Sequence, residues 1–270
     1  LDGKPVLPAA VALELMAEAA KTLWPGWRVV EVREHKLLKG VELKNMDARD
    51  SARNLQVRIA PPPYGSSEGF EVAASLESEL APGRFIPHYR CVLRLEQMLP
   101  APERSEREFH DDKALSTAKA YGEWLFHGPR FQVIERIDGL SPQGAGASVR
   151  STRPAQWLAD GGEEQGWVFD PGLLDAAAQM AWLWSRAYRD ESALPTRFGR
   201  VVRYRDRFPA QMHMQYTRIP TDDASLIRGN VVFLDDGGEA VMSIEELDSV
   251  ASAALNRFGG TAREAAHATA

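Results

Sequence analysis

A long apolar helix-forming stretch occurs twice in this chain, at residues 9–21 and 173–188, and each copy is set among short runs rich in β-branched and aromatic residues. In the first copy Leu13, Met16 and Ala20 recur at helical spacing, Pro8 precedes the stretch and Pro25-Gly26 stops it. Runs at 27–34, 55–59, 69–76 and 84–96 read as strands, separated by clusters such as Pro61-Pro62-Pro63. No helical pattern intervenes between them, so the expected pairing is antiparallel. A second set of strand-like runs, at 131–137, 147–151, 200–208, 212–219, 226–234 and 240–247, surrounds the second helix. Each half is one long helix plus several strands, a repeat of architecture without a repeat of sequence.

A sheet that buries a long helix is an α+β arrangement, and the hotdog fold has that form. The expected fold class is α+β, and a double hotdog, two antiparallel sheets each wrapping a long central helix, fits the pattern, which other α+β folds share. Residues 99–108 carry two prolines and alternating Glu and Arg without an apolar period, and read as a linker. The expected organisation is a first unit at 1–98, a linker at 99–110, a second unit at 111–250 and a tail or linker at 251–270, its Ala-rich end at 262–270 frayed. The chain opens at Leu1 directly in a strand-to-helix junction and reads as a piece of something longer.

Composition removes several function classes. A net charge of -6 gives no general attraction to a phosphate backbone, so nucleic acid is not an expected partner. Cys91 is the only cysteine, which excludes a disulfide framework or thiolate metal cluster and suits a reducing cytoplasm. No stretch approaches the roughly 20 apolar residues of a membrane span. His35, His88, His110, His213 and His267 are scattered singly, without metal-ligand spacing, so no metal is expected and each reads as a strand or surface residue.

The segment Asp170-Pro171-Gly172-Leu173-Leu174-Asp175-Ala176-Ala177-Ala178-Gln179 is the most informative. Asp170 suits an N-cap and Pro171 the first helical position. Asp175 and Gln179 stand four apart on one face, within reach of a hydrogen bond, on a helix apolar on nearly all sides. A buried carboxyl without a positive partner stays protonated more readily, and a protonated acid is what a departing hydroxyl needs. Asp175 is thus the candidate general acid, the bland alternative being a solvated patch on the helix rim. Trp182 and Trp184 read as core, although Trp182, on the Asp175 face, also suits the wall of an acyl tunnel.

The same segment, Leu-Leu-Asp175-Ala-Ala-Ala-Gln179, resembles the second signature of polyketide synthase dehydratases. Gly3-Lys4-Pro5-Val6-Leu7-Pro8 is similar to the last six positions of that family's first signature, histidine-x-x-x-glycine-x-x-x-x-proline. His127-Gly128-Pro129-Arg130-Phe131 resembles its tyrosine-glycine-proline-x-phenylalanine, and Leu194-Pro195 its leucine-proline segment before a strand. With Gly3 and Pro8 in register, the family's catalytic histidine falls two places before Leu1. Asp170 stands where many relatives have histidine, and His127 where they have tyrosine.

The resemblance implies a dehydratase domain of a type I polyketide synthase. Histidine removes the α-proton of a 3-hydroxyacyl thioester and the aspartate protonates the β-hydroxyl, leaving an α,β-unsaturated acyl group. It implies Asp175 and Gln179 as the catalytic pair, and Gly3, Pro8, Ala9, His127, Gly128, Pro129, Phe131, Trp182, Leu194 and Pro195 as substrate-binding residues. Free N–H groups near Ala9 would face the enolate oxygen. No cofactor is expected, since the substrate rides on the phosphopantetheine of an acyl carrier protein. Expected partners are that carrier, neighbouring synthase domains and a second copy in a homodimer. Arg203, Arg205 and Arg207, alternating with Val202, Tyr204 and Phe208, are expected to form an exposed basic carrier-docking face. The alternatives are a product-template-like cyclase, a hotdog thioesterase and a catalytically degenerate scaffold domain.

Overall fold

The structure, a computed structural model, describes residues 5–43, 54–61, 69–105, 113–158 and 166–260. Its first helix, α1 (Ala9–Leu23), buries Ala10, Leu13, Met16, Ala17 and Ala20 against the first four strands. These are β1 (Arg28–Leu37), β2 (Leu55–Ile59), β3 (Phe70–Ala81) and β4 (Arg84–Glu96). The period-two pattern is cleanest on β4, where Tyr89, Cys91, Leu93 and Leu95 point inward.

The second half carries β5 (Ile134–Ser141), β6 (Gly144–Arg150), the helix α2 (Pro171–Arg189), β7 (Ser192–Arg203), β8 (Gln211–Ile219), β9 (Leu226–Leu234) and β10 (Ala240–Ser252). Every residue of α2 from Pro171 to Ser185 is buried, because six strands curl around it. Such all-round apolarity is what a helix at the centre of a sheet requires.

The two sheets are joined edge to edge. The strand order is β2-β3-β4-β1-β7-β10-β9-β8-β6-β5 and every neighbouring pair is antiparallel. The seam is β1 on β7, running from Glu31 opposite Val202 to Lys36 opposite Arg197. Arg197 clamps this seam from β7, reaching Glu34 on β1 and Glu246 and Asp248 on β10.

Several expected boundaries move. Phe131 sits in a 3-10 turn, Pro129–Phe131, and β5 begins at Ile134. Strand β7 begins at Ser192, so Leu194 and Pro195 lie within it, opposite Val250 and Ser249, and the strand stops at Arg203. Proline lacks the ladder N–H, and the register of β7 on β10 slips at that level, between Asp248 and Ser249. Part of the expected linker is tied down, since Ala240 N–H donates to Glu103 O at 2.8 Å and Ser105 N–H to Gly238 O at 3.1 Å. In the expected tail, 251 and 252 complete β10 and a 3-10 turn, Ala253–Phe258, buries Phe258. Gly3, His110, His267, linker residues 106–110 and the frayed end at 262–270 lie outside the described residues.

Candidate active site

The start of α2 is built by burial and hydrogen bonding together. Asp170 Oδ1 accepts the N–H of Gly172 at 2.8 Å and of Leu173 at 3.4 Å, the N-cap geometry expected of an aspartate. The same carboxylate accepts Thr152 Oγ1–H at 2.6 Å and Thr152 N–H, so it also pins the segment after β6. Burial pushes the pKa of Asp170 up to about 6 against these four donors. Gly172 is needed here because a Cβ would meet Thr152 Cγ2 at 2.5 Å. A second carboxylate arrives from the other helix. Glu14 of α1, 2% exposed, accepts Val168 N–H at 2.7 Å and Phe169 N–H at 2.6 Å, and burial raises its pKa well above the usual carboxylate value. Both helices are thereby fastened to the bend that leads into α2.

One turn further along, Asp175 is 8% exposed and Gln179 is 1% exposed. Gln179 Nε2 donates to Asp175 Oδ2 at 2.7 Å and to Phe131 O at 2.9 Å, while its Oε1 accepts Tyr121 O–H at 3.0 Å. Tyr121 O in turn accepts Ile134 N–H at 3.1 Å, so the amide is held on both ends and its orientation is fixed. His127 Nε2 stands 3.2 Å from the same Asp175 oxygen. Its ring stacks on Phe126 at 4.4 Å and meets the edge of Trp182 at 6.3 Å. The turn Gly128-Pro129-Arg130-Phe131 thus brings His127 and the Phe131 carbonyl onto one carboxyl–amide pair. Trp182 is core and site wall at once, 1% exposed yet packed on Phe126 and His127.

The start of α1 is different in kind. Pro8, extended at φ -64 and ψ 145, is its N-cap, and among the described residues no side chain caps the helix. The turn is held from behind by Tyr89 O–H on Leu7 O at 2.7 Å and by His35 Nε2 on Ala9 O at 3.1 Å. Burial drives the His35 pKa down to about 4, so the ring is neutral and its Nε2–H donates to that carbonyl.

The expected basic face on β7 is not formed. Arg203 is buried, its Nε donating to Val29 O at 2.7 Å, and Arg205 lies beyond the end of the strand in an ion pair with Glu239. Only Arg207 of the three is exposed, because the alternation that would have lined them up ends with the strand at Arg203. Tyr121, Thr152 and Glu14 were missed by sequence reasoning, as each acts through a partner distant in the chain. Among the described residues no group of three or more His, Cys, Asp or Glu side chains is arranged to hold a metal, and no helix is long and apolar enough to cross a membrane.

Residues 100–257, more than half of the chain, match the family described as polyketide synthase dehydratase N-terminal domain. This chain belongs to the polyketide synthase dehydratase family. The dehydratase domain is also 26% identical over 208 residues to a polyunsaturated fatty acid synthase subunit from Thraustochytrium sp., a match covering 76% of this chain and 7% of that protein. The chain therefore spans about 7% of the length of that curated relative. Its fold resembles the dehydratase domain of RzxB from Pseudomonas fluorescens at a TM-score of 0.70, with 16% identity over 92% of this chain and 87% of the other. It resembles the dehydratase domain from the CurF module of curacin polyketide synthase at 0.71, with 18% identity over 93% and 85% of the two chains. A trans-acyltransferase polyketide synthase enoyl-isomerase is similar at 0.65, with 12% identity over 92% of each chain. These neighbours share the double-hotdog fold of the dehydratase domain.

Proposed function

We propose that this dehydratase domain removes water from 3-hydroxyacyl thioesters delivered by an acyl carrier protein, with Asp175 as the general acid. The observation that carries the reading is Asp175 itself, a nearly buried carboxyl at the second-signature position with Gln179 2.7 Å from Oδ2. In the reaction the histidine of the family's first signature takes the α-proton. The thioester oxygen gains charge beside the uncapped N–H groups at the start of α1, and Asp175 gives its proton to the β-hydroxyl, which leaves as water. The aromatic wall of Phe126, His127 and Trp182 keeps solvent from the carboxyl and lies against the acyl chain.

The variant Asp175→Asn keeps shape and a polar contact to Gln179 but has no acidic proton. In the parent polypeptide, with a carrier-bound 3-hydroxyacyl substrate, its turnover is expected to fall by about 10²- to 10⁴-fold, with an unchanged circular dichroism spectrum. Full turnover by that variant sinks the acid assignment. Formation of a β,γ-unsaturated product from an enoyl substrate would instead favour isomerase chemistry, one fold neighbour being an enoyl-isomerase. The absence of any turnover by the unmodified protein would favour a scaffold role.

A further inference from the structure

The carboxyl of Asp175 has two nitrogen neighbours and both approach the same oxygen. Gln179 Nε2 is 2.7 Å from Oδ2 and His127 Nε2 is 3.2 Å from it. We propose that His127 is a positioning residue for the acid, donating its Nε2–H to Oδ2 so that, with Gln179, it fills both lone pairs of that oxygen and confines the transferable proton to Oδ1. The inference rests on the reading of Asp175 as the acid, and it deepens that reading by assigning work to a residue at which this chain departs from its family.

A carbonyl-type oxygen has two acceptor sites, and once both hold N–H donors an O–H on that oxygen faces two competing donors. The proton then resides on Oδ1 alone, where it is free to be given away. When it leaves, the new negative charge is met by two donors already in place, so little has to reorganise as the charge develops. His127 suits the task because its ring is held and neutral. Phe126 stacks on it at 4.4 Å with planes 16° apart, and the His127 carbonyl accepts Gln132 Nε2–H at 2.8 Å. Burial pushes its pKa below the ordinary histidine value, with the Asp175 charge opposing that shift. Nδ1 finds no partner among the described residues, so nothing else in the protein competes to set the tautomer and Oδ2 decides it. From α2 the ring faces Asp175 and the uncharged Trp182, and from its own turn Phe126 and Phe131. Tyr121 lies behind Gln179, and Arg150 of β6 acts electrostatically on Tyr121.

The test compares His127→Phe, His127→Gln and Asp175→Asn in the parent polypeptide with a 3-hydroxyacyl N-acetylcysteamine thioester. Phenylalanine keeps the stack on Phe126 and removes both ring nitrogens, so kcat should fall by about 10- to 100-fold, the worth of one hydrogen bond to a charged group, with KM within about twofold. Glutamine supplies an amide N–H and should restore most of the loss. An effect on KM alone, or none, would overturn the proposal and leave His127 as tunnel wall. Loss of activity in His127→Phe together with full activity in Asp175→Asn would instead break the acid assignment. A readout independent of turnover is the His127 ring followed by nitrogen NMR. Taking the acceptor away in Asp175→Ala should shift the Nε2–H signal of the neutral ring, and an unchanged signal counts against the contact.

Discussion

The two long helices begin in opposite ways. At the start of α2 the backbone N–H groups of Gly172 and Leu173 are taken by Asp170, Glu14 takes those of Val168 and Phe169, and Gly172 leaves no room for a side chain. At the start of α1 no side chain among the described residues caps the helix, and the stabilising bonds from Tyr89 and His35 go to carbonyl oxygens behind it. A helix start whose donors are consumed by the protein serves structure. One whose donors are left open while its carbonyls are braced is prepared for an anionic ligand, with the positive end of the helix dipole added to it. In the proposed reaction the acid carboxyl stands on the closed helix and the enolate site on the open one, so acid and oxyanion donor would come from different halves of the molecule.

The comparison breaks most directly at Ala9. It is the first helical residue, a position that tolerates proline, and Pro8 before it is already in the extended conformation that a following proline demands. Ala9→Pro removes one candidate donor and little else. Its melting temperature should match the unmodified protein within the equivalent of about 1 kcal/mol. Its kcat should fall by about 10²- to 10³-fold, the usual cost of one oxyanion donor. A folded Ala9→Pro protein with full turnover would show that the open start is not where charge collects.

The closed start is sharpened by pH. The folded pKa of Asp170 is raised to about 6 by burial, above an ordinary aspartate value near 3.8. The protonated form is therefore favoured by folding, and the contribution of this group is fully present below about pH 4 and lost as pH rises to about 6, a swing of about 3 kcal/mol. Asp170→Asn keeps a good N-cap but cannot titrate, at the cost of turning an amide N–H toward Thr152 N–H. The difference in unfolding free energy between the two proteins, from urea titrations at pH 4 and pH 7, should shrink against the unmodified protein by about that swing. A difference independent of pH would mean that Asp170 is not a buried titrating cap.

How much of this was legible follows from the same contrast. Local signals announced α2, with its Asp-Pro start and the four-residue spacing of Asp175 and Gln179, and the extents of β2, β4 and β9 match the runs that suggested them. Long-range partners were invisible. Glu14 sits in an alanine-rich helix and reads as a solvent-facing charge until Val168 and Phe169 are packed against it. Tyr121 gains its role only when Gln179 arrives 58 residues later in the chain. The seam of β1 on β7 has no local signature, so the two expected sheets could not be seen to be one. Arg205 and Arg207 were misplaced because alternation was extended past the end of β7, and Arg203, its last residue, is buried with its guanidinium on the Val29 carbonyl.

The smallest expected effect is at the brace behind the open start. Tyr89 is 2% exposed, its hydroxyl donates to Leu7 O at 2.7 Å, and its ring lies parallel to that of His35 at 5.6 Å. Tyr89→Phe preserves the ring and the stack and removes only the donor, so stability should fall by about 0.5–1.5 kcal/mol, the net worth of one such bond. The catalytic consequence should be smaller than that of Ala9→Pro, because the N–H groups remain and only the carbonyl two residues before Ala9 is loosened. The His35 bond to Ala9 O still holds the first turn. A loss of less than about tenfold, in kcat rather than KM, is the pattern expected if the brace aims the donors without touching substrate. A loss equal to that of Ala9→Pro would place the hydroxyl itself against the reacting atoms, and the division between open donors and braced carbonyls would have to be given up.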